Sequence, residues 1–317
     1  MTQNKAIVNK LLTNVSNKYV PEGYISEQIL PVINVVQTSG KLGQYGNAHL
    51  RAGEYRHSGS GKYTEVKIDD RLTKDYSLTK RGLSTYVVEE DYANVEQPYD
   101  AESDATEDIT SLLWTEKELG LANTLTDSSK YATANTQTLT GTSRYDDLDN
   151  STPLVDAITA RQAISAATGA SPNVAIMNQE VFEYLTIHPT ILRSLGYADQ
   201  RPGMLKLNEL ANALNVDRIL VGKANYNSAA EGQADNLTRI WGKHLIYAVA
   251  PKTASKRQVS LGYRLQKNSP RRVFKNSVTN PPNSTEITVD DWYQQLISGV
   301  DSSGKIIAGY LLKNVIS

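Results

Sequence analysis

The sequence predicts an α+β protein arranged around one long helix, and three observations predict it. Residues 98–127, PYDAESDATEDITSLLWTEKELGLANTLTD, read as a single long helix. Residues 151–255 alternate short helical and strand patterns at the spacing of a compact α/β unit. The stretches 35–91 and 256–317 are rich in strand formers.

The long helix has a clear start. Pro98 suits a first turn, and Asp100, Glu102 and Asp104 place negative charge at the positive end of the helix dipole. At helical period, Ala105, Ile109, Leu112 and Leu119 make one apolar stripe, and Trp114, Leu121 and Leu125 make a second on nearly the opposite side. A surface helix has one such stripe. Two stripes imply either a helix clamped between two surfaces, one of them from elsewhere in the chain or from another subunit, or a helix set deep in its own core.

Before the helix, residues 1–34 read as an arm. Ala6, Ile7, Leu11 and Leu12 form an amphipathic stretch too short to be stable alone, and Pro21, Gly23 and Pro31 interrupt the rest of the arm. Residues 35–92 have strand formers, few apolar side chains and many charges, which predicts a long polar β-hairpin that docks on a neighbour. The alternative is an ordinary edge sheet.

After the helix, a polar link leads to the unit at 151–255. Thr152 and Pro153 open a helix with Leu154, Ala157, Ile158 and Ile164 as its buried stripe, and Gly169 closes it. PNVAIM is a buried strand, and NQEVFEYLTIHP a helix stopped at Pro189. LKLNELANALNV is a helix feeding the strand DRILVG, and LTRIWGKHLIYAVAP supplies one or two more strands. The tail returns to strands in QVSLGYRLQ, TEITVDDWYQQLISGV and KIIAGYLLKNVI, with a turn at 301–304. Residues 93–150 and 256–317 flank the α/β unit and are expected to build a second domain, into which it is inserted.

Composition narrows the function. The 317 residues carry a net charge of −1, which gives no basic footprint for gripping phosphates. There is no Cys, hence no disulfide, thiol nucleophile or thiolate metal site. The N-terminal residues contain no long apolar run, so no signal peptide or membrane span is expected. Tyr occurs 18 times against two Phe, and its hydroxyl-bearing ring suits surfaces buried only on association. An oligomer is expected.

The search for chemistry yields near misses. Gly299–Lys305 matches the first seven positions of a phosphate-binding loop, but Ile306 stands where Ser or Thr should be and a strand comes next. It reads as a hairpin turn. SGSGK at 58–62 lacks the first glycine, with Arg56 in its place. Asp146, Asp147 and Asp149 hint at a calcium loop, but Thr152 and Ile158 occupy the positions that need Gly and Glu. His49, His57, His188 and His244 are scattered, without metal-ligand spacing. No catalytic residue, cofactor or metal is expected.

Four stretches, in order, resemble the major capsid proteins of tailed bacteriophages: PNVAIMNQEVFEYLTIHPTILRSLGY, LNELANALNVDRILVGKANYNSA, RIWGKHLIYAVAP and IIAGYLLKNVI. The N-terminal YVPEGYISEQILPVINVVQTSGKLGQYG fits the same pattern. The resemblance implies the Hong Kong 97-type fold. Residues 1–34 would be its arm, 35–92 its extended loop, 98–127 its spine helix within a peripheral domain, and 151–255 its axial domain.

It also implies a head protein, not an enzyme, that assembles as hexamers and pentamers into an icosahedral shell around double-stranded DNA. That protein would assemble in the bacterial cytoplasm and reside in the virion. Partners would be further copies of the chain, a separate scaffolding protein, a portal and a decoration protein, with DNA enclosed without sequence-specific binding and no membrane. Under this resemblance the expected inter-subunit contacts are Arg56, His57 and Lys62 on the loop and Trp114, Leu121 and Leu125 on the helix. The alternatives are an encapsulin-like compartment shell with a protein cargo and a soluble α/β enzyme.

Overall fold

In the computed structural model the described residues are 7–45, 71–88, 90, 92, 100–197, 205–230, 232–254, 258–278 and 283–317. The long helix, α3, runs Ala101–Leu125, with α1 (Lys10–Lys18) and α2 (Ser26–Ile29) in the arm before it. Asp100 caps α3 by accepting from Glu102 N, and acidic Glu102 and Asp104 fill its first turn, as the sequence implies. Two five-stranded sheets pack along this helix.

The first sheet is built on a long hairpin, β12 (Gly262–Val278) and β13 (Ser284–Ile297), in antiparallel register with a shift between Gln266 and Arg271. β1 (Ile7–Val8) and β5 (Thr79–Val88) pair with the outer sides of the hairpin, and β2 (Val32–Asn34) runs parallel to β12. Inward-facing Val273, Ile287 and Val289 meet Leu12 of α1, Val87 of β5, and Ile109 and Leu113 of α3. The strand alternation of β13, with Ile287, Val289, Asp291 and Tyr293 buried, sets that face. β3 (Ser39–Tyr45) and β4 (Arg71–Ser77) form a separate antiparallel ribbon. It occupies part of the range 35–92 read as one hairpin, whereas β5 in the same range edges the first sheet, and the residues joining β3 to β4 lie outside the described set.

The second sheet has the order β6–β14–β11–β7–β8, from Thr136–Thr138, Gly309–Lys313, Leu245–Ala248, Val174–Asn178 and Arg218–Gly222. β7 is buried throughout because both of its faces are covered. Ala175 and Met177 point toward α4 (Pro153–Thr168), where Ala157, Ala160 and Ile164 lie in the same core. α5 (Gln179–Ile187), α6 (Pro189–Ser194) and α7 (Leu207–Leu214) complete that layer. Pro153 opens α4, and Gly169 ends it at φ 69, a left-handed value that favours glycine. Thr152 makes no side-chain cap bond. A small hairpin, β9 (Asn225–Asn227) with β10 (Leu237–Arg239), extends from this unit.

Two expectations need correction. β6 and β14 lie outside 151–255, yet both belong to the second sheet, so the inserted unit recruits strands from its flanks. The cause is packing: Leu311 and Leu312 are fully buried between β11 and β6. The paired stripes of the helix also resolve differently along its length. Ile109 and Leu113 face the first sheet, whereas Leu121, Ala122 and Leu125 share a core with Val174, Ile176, Ile246 and Leu311 on the second. One helix spans two sheets, so its apolar side changes direction halfway.

Candidate assembly surfaces around the long helix

The arm is fastened to this helix by its own chain. Asn9 caps α1 by accepting from Leu11 N and Leu12 N at 3.0 and 3.2 Å. Ser16 Oγ and Thr110 Oγ1 are 2.8 Å apart in the interior, and Tyr24 Oη and Thr115 Oγ1 are also 2.8 Å apart. Glu118, fully buried, accepts from Ile25 N at 2.9 Å, Ser26 N at 2.8 Å and Trp241 Nε1 at 2.6 Å. Its carboxylate satisfies the first amides of α2 and holds the indole of the second sheet's unit. A buried charge with three donors is the arrangement that offsets its desolvation.

Next to Glu118 in the helix, Lys117 is buried beside Asp291, with Nζ 3.0 Å from Oδ2 and 3.7 Å from Glu27 Oε1. The Lys117 ammonium sits 4.6 Å from the Tyr293 ring centroid and 4.8 Å from that of Trp114. Arg264 pairs with Glu27, and Arg271 donates to Ser16 O at 3.0 Å while stacking on Trp114. Burial pulls the Lys117 ammonium pKa below the usual lysine value, and Asp291 opposes that pull. Arg271 is lowered by burial too. The network ties the hairpin β12–β13, the arm and the helix into one unit.

The expected contact residues therefore separate. Trp114, Leu121 and Leu125 are at most 2% exposed and lie inside this chain's own cores, covered by arm residues such as Tyr24, Ile25 and Ile29. They are not an outward face, which corrects their assignment as inter-subunit contacts. Arg56, His57 and Lys62 lie outside the described residues. The exposed face of the helix carries Asp104, Asp108, Leu112, Glu116 and Gly120 at four-residue spacing. Leu112, placed by periodicity on an apolar stripe, is 61% exposed. The missed signal was its company, because the residues one turn away on either side, Asp108 and Glu116, are both acidic.

The near-miss motifs at 299–305 and 146–149 resolve as turns, whereas SGSGK at 58–62, His49 and His57 lie outside the described residues. Asp301 accepts from Ser303 N at 2.8 Å and Lys305 N at 2.9 Å, so its carboxylate occupies the amides that a phosphate would need. Gly304 takes φ +80, as expected of a hairpin turn. Asp147 binds the amides of Asp149 and Asn150 at 3.2 and 3.1 Å, an Asx turn. His188 Nδ1 caps α6 by accepting from Thr190 N, and its Nε2 meets Ser151 Oγ at 2.8 Å. Among the described residues, no group of three His, Cys, Asp or Glu could hold a metal, and no helix is long and apolar enough to cross a membrane.

Comparison with known proteins places this architecture. No family model matches the chain. It is 23% identical, over 98% of its length and 97% of the relative's, to the major capsid protein of Burkholderia phage BcepMu. It is 27% identical, over 78% of each, to the major capsid protein of Pseudomonas phage JBD67. A phage-related protein from Bordetella bronchiseptica RB50 superposes with a TM-score of 0.75 at 22% identity, covering 98% of both chains. The virus-like particle of Pyrococcus furiosus gives 0.54 at 12% identity over 95% of this chain and 96% of that one. The mature capsid of bacteriophage PhiM1 gives 0.53 at 11% over 93% and 88%. In sequence along nearly all its length this chain is similar to a phage major capsid protein, and in fold it is similar to a phage-related protein and to a phage capsid.

Proposed function

We propose that the chain is the shell-forming subunit of a tailed-phage head, assembling with copies of itself as hexamers and pentamers into an icosahedral shell around double-stranded DNA. The observation that carries this reading is the near end-to-end match to a phage major capsid protein. In this reading the fold is of the Hong Kong 97 type. The ribbon within 35–92 is the extended loop, α3 the spine, the sheet on β12–β13 the peripheral domain, and the unit around 151–255 the axial domain. A separate scaffolding protein and a portal guide closure in the host cytoplasm, and a decoration protein adds to the finished virion. The net charge of −1 supports enclosure without a strong grip on phosphates.

A compartment shell with protein cargo is the alternative that the test must separate from this reading. The content of purified particles separates the two. Nuclease-protected double-stranded DNA in particles from phage-producing cells supports the head reading. A stoichiometric enzyme cargo without nucleic acid overturns it.

A further inference from the structure

We infer that the buried cluster of Asp156 with Tyr145, Tyr247 and Tyr310 is a proton-operated clasp, in which uptake of one proton at Asp156 tightens the join between α4 and the flanking strands β6 and β14. Four acidic side chains are buried among the described residues: Glu118, Asp156, Asp290 and Asp291. Three of them are compensated. Glu118 accepts from three N–H groups, Asp290 holds Lys80 and a two-pronged Arg272, and Asp291 holds Lys117. Asp156 has a single phenol, since Tyr145 Oη donates to its Oδ2 at 3.1 Å, and no cation pairs with it among the described residues. A buried carboxylate so poorly supplied with donors favours its neutral form.

The cluster sits where the inserted unit meets the strands it recruits. Asp156 lies in the first turn of α4, Tyr247 on β11 and Tyr310 on β14. Tyr310 Oη donates to Gln137 Oε1 of β6 at 3.2 Å. Tyr145 belongs to the link before α4, and its N donates to Val315 O, just past β14, at 2.6 Å. All three rings are at most 3% exposed and share one core with Ala157 and Leu312. Tyr247 Oη is buried without a partner. Arg161, on the same helix as Asp156, acts through its charge on Tyr247.

Burial pushes the Asp156 carboxyl above its ordinary 3.8, and the Tyr145 bond opposes that push. Burial is also the largest influence raising the three phenols, and the Asp156 charge adds to it. The phenols therefore keep their protons, and Asp156 is the member of the cluster that titrates. Its folded value lies above the unfolded one, so its stabilising contribution is full below 3.8 and is lost as pH rises through the folded value.

The test compares melting temperatures of the full chain as wild type, Asp156→Asn and Tyr145→Phe at pH 4.5 and 7.5. Asp156→Asn is neutral at both values and keeps an acceptor for Tyr145. It should melt at least about 2 °C above wild type at pH 7.5, and this advantage should shrink at pH 4.5. Tyr145→Phe removes the one donor to the charged form, so its cost should be larger at pH 7.5 than at 4.5. That variant keeps the test decisive if Asp156→Asn misfolds. His188 and His244 are present in all three chains, so their titration cancels in the differences. Hydrogen exchange locates the effect: peptides covering 136–145 and 153–168 should be better protected in Asp156→Asn than in wild type at pH 7.5. A difference between folded Asp156→Asn and wild type that is the same at both pH values, or that grows on acidification, overturns the inference. So does a Tyr145→Phe cost that does not change with pH.

Discussion

Trp241 Nε1 donates to Glu118 Oε1 at 2.6 Å, joining the long helix to a residue 123 positions away. The same carboxylate holds the amides of Ile25 and Ser26, so one buried side chain connects arm, helix and second sheet. Replacing it with Ala leaves three buried N–H groups without an acceptor. The cost should be about 3–5 kcal/mol. Denaturant unfolding should show a lowered midpoint, and limited proteolysis should cut the arm before the rest of the chain.

Leu125 offers a second check. It is buried between Ile29 of the arm and the second sheet, so Leu125→Asp places a charge in a dry core. Global destabilisation of more than about 3 kcal/mol should result. A folded subunit with normal melting and only an assembly defect would show that this residue faces outward after all.

Gly222 stands against the indole of Trp241, where an added Cβ would fall inside van der Waals contact. Gly222→Ala should therefore move the Trp241 ring and lengthen its bond to Glu118. Loss of about 1–3 kcal/mol and a shifted tryptophan emission maximum are the expected outcomes. Gly43→Ala, at a position with open space around it, is the matched control and should leave both unchanged.

His244 accepts from Asn314 N through Nδ1 and is held neutral, its pKa pushed down to about 4 by burial and then by Lys313. The direction of the shift gives the sign. The unfolded chain takes up the proton near 6.5 and the folded chain resists it, so this contribution is full above 6.5 and is lost as pH falls towards 4. The loss is on the order of 3 kcal/mol at most. His244→Asn, which keeps an acceptor for Asn314 N, should flatten the melting-temperature slope between those pH values. His188, also lowered by burial, adds to the wild-type slope in the same sense.

Much of this fold is legible in the sequence, because local rules and packing agree there. Pro153 and Gly169 bound α4, Asp100 starts α3, and the all-apolar VAIM of β7 marks a strand covered on both faces. The assembly surface is less legible, for a physical reason. Periodicity reports which positions are apolar, not which body covers them. Leu121 and Leu125 look like an outward stripe because the arm that buries them comes from far earlier in the chain, through Ile25, Ile29 and Glu118. Leu112 looks inward by the same rule and is exposed. Membership of β6 and β14 in the second sheet is a long-range pairing with no local signature.

The most direct test of the central claim is size-exclusion chromatography with negative-stain microscopy of the purified chain, expressed alone and with its neighbouring phage structural genes. The account predicts closed shells, or six- and five-membered rings that close when a scaffolding protein is supplied. A stable monomer or dimer under every one of these conditions would contradict it.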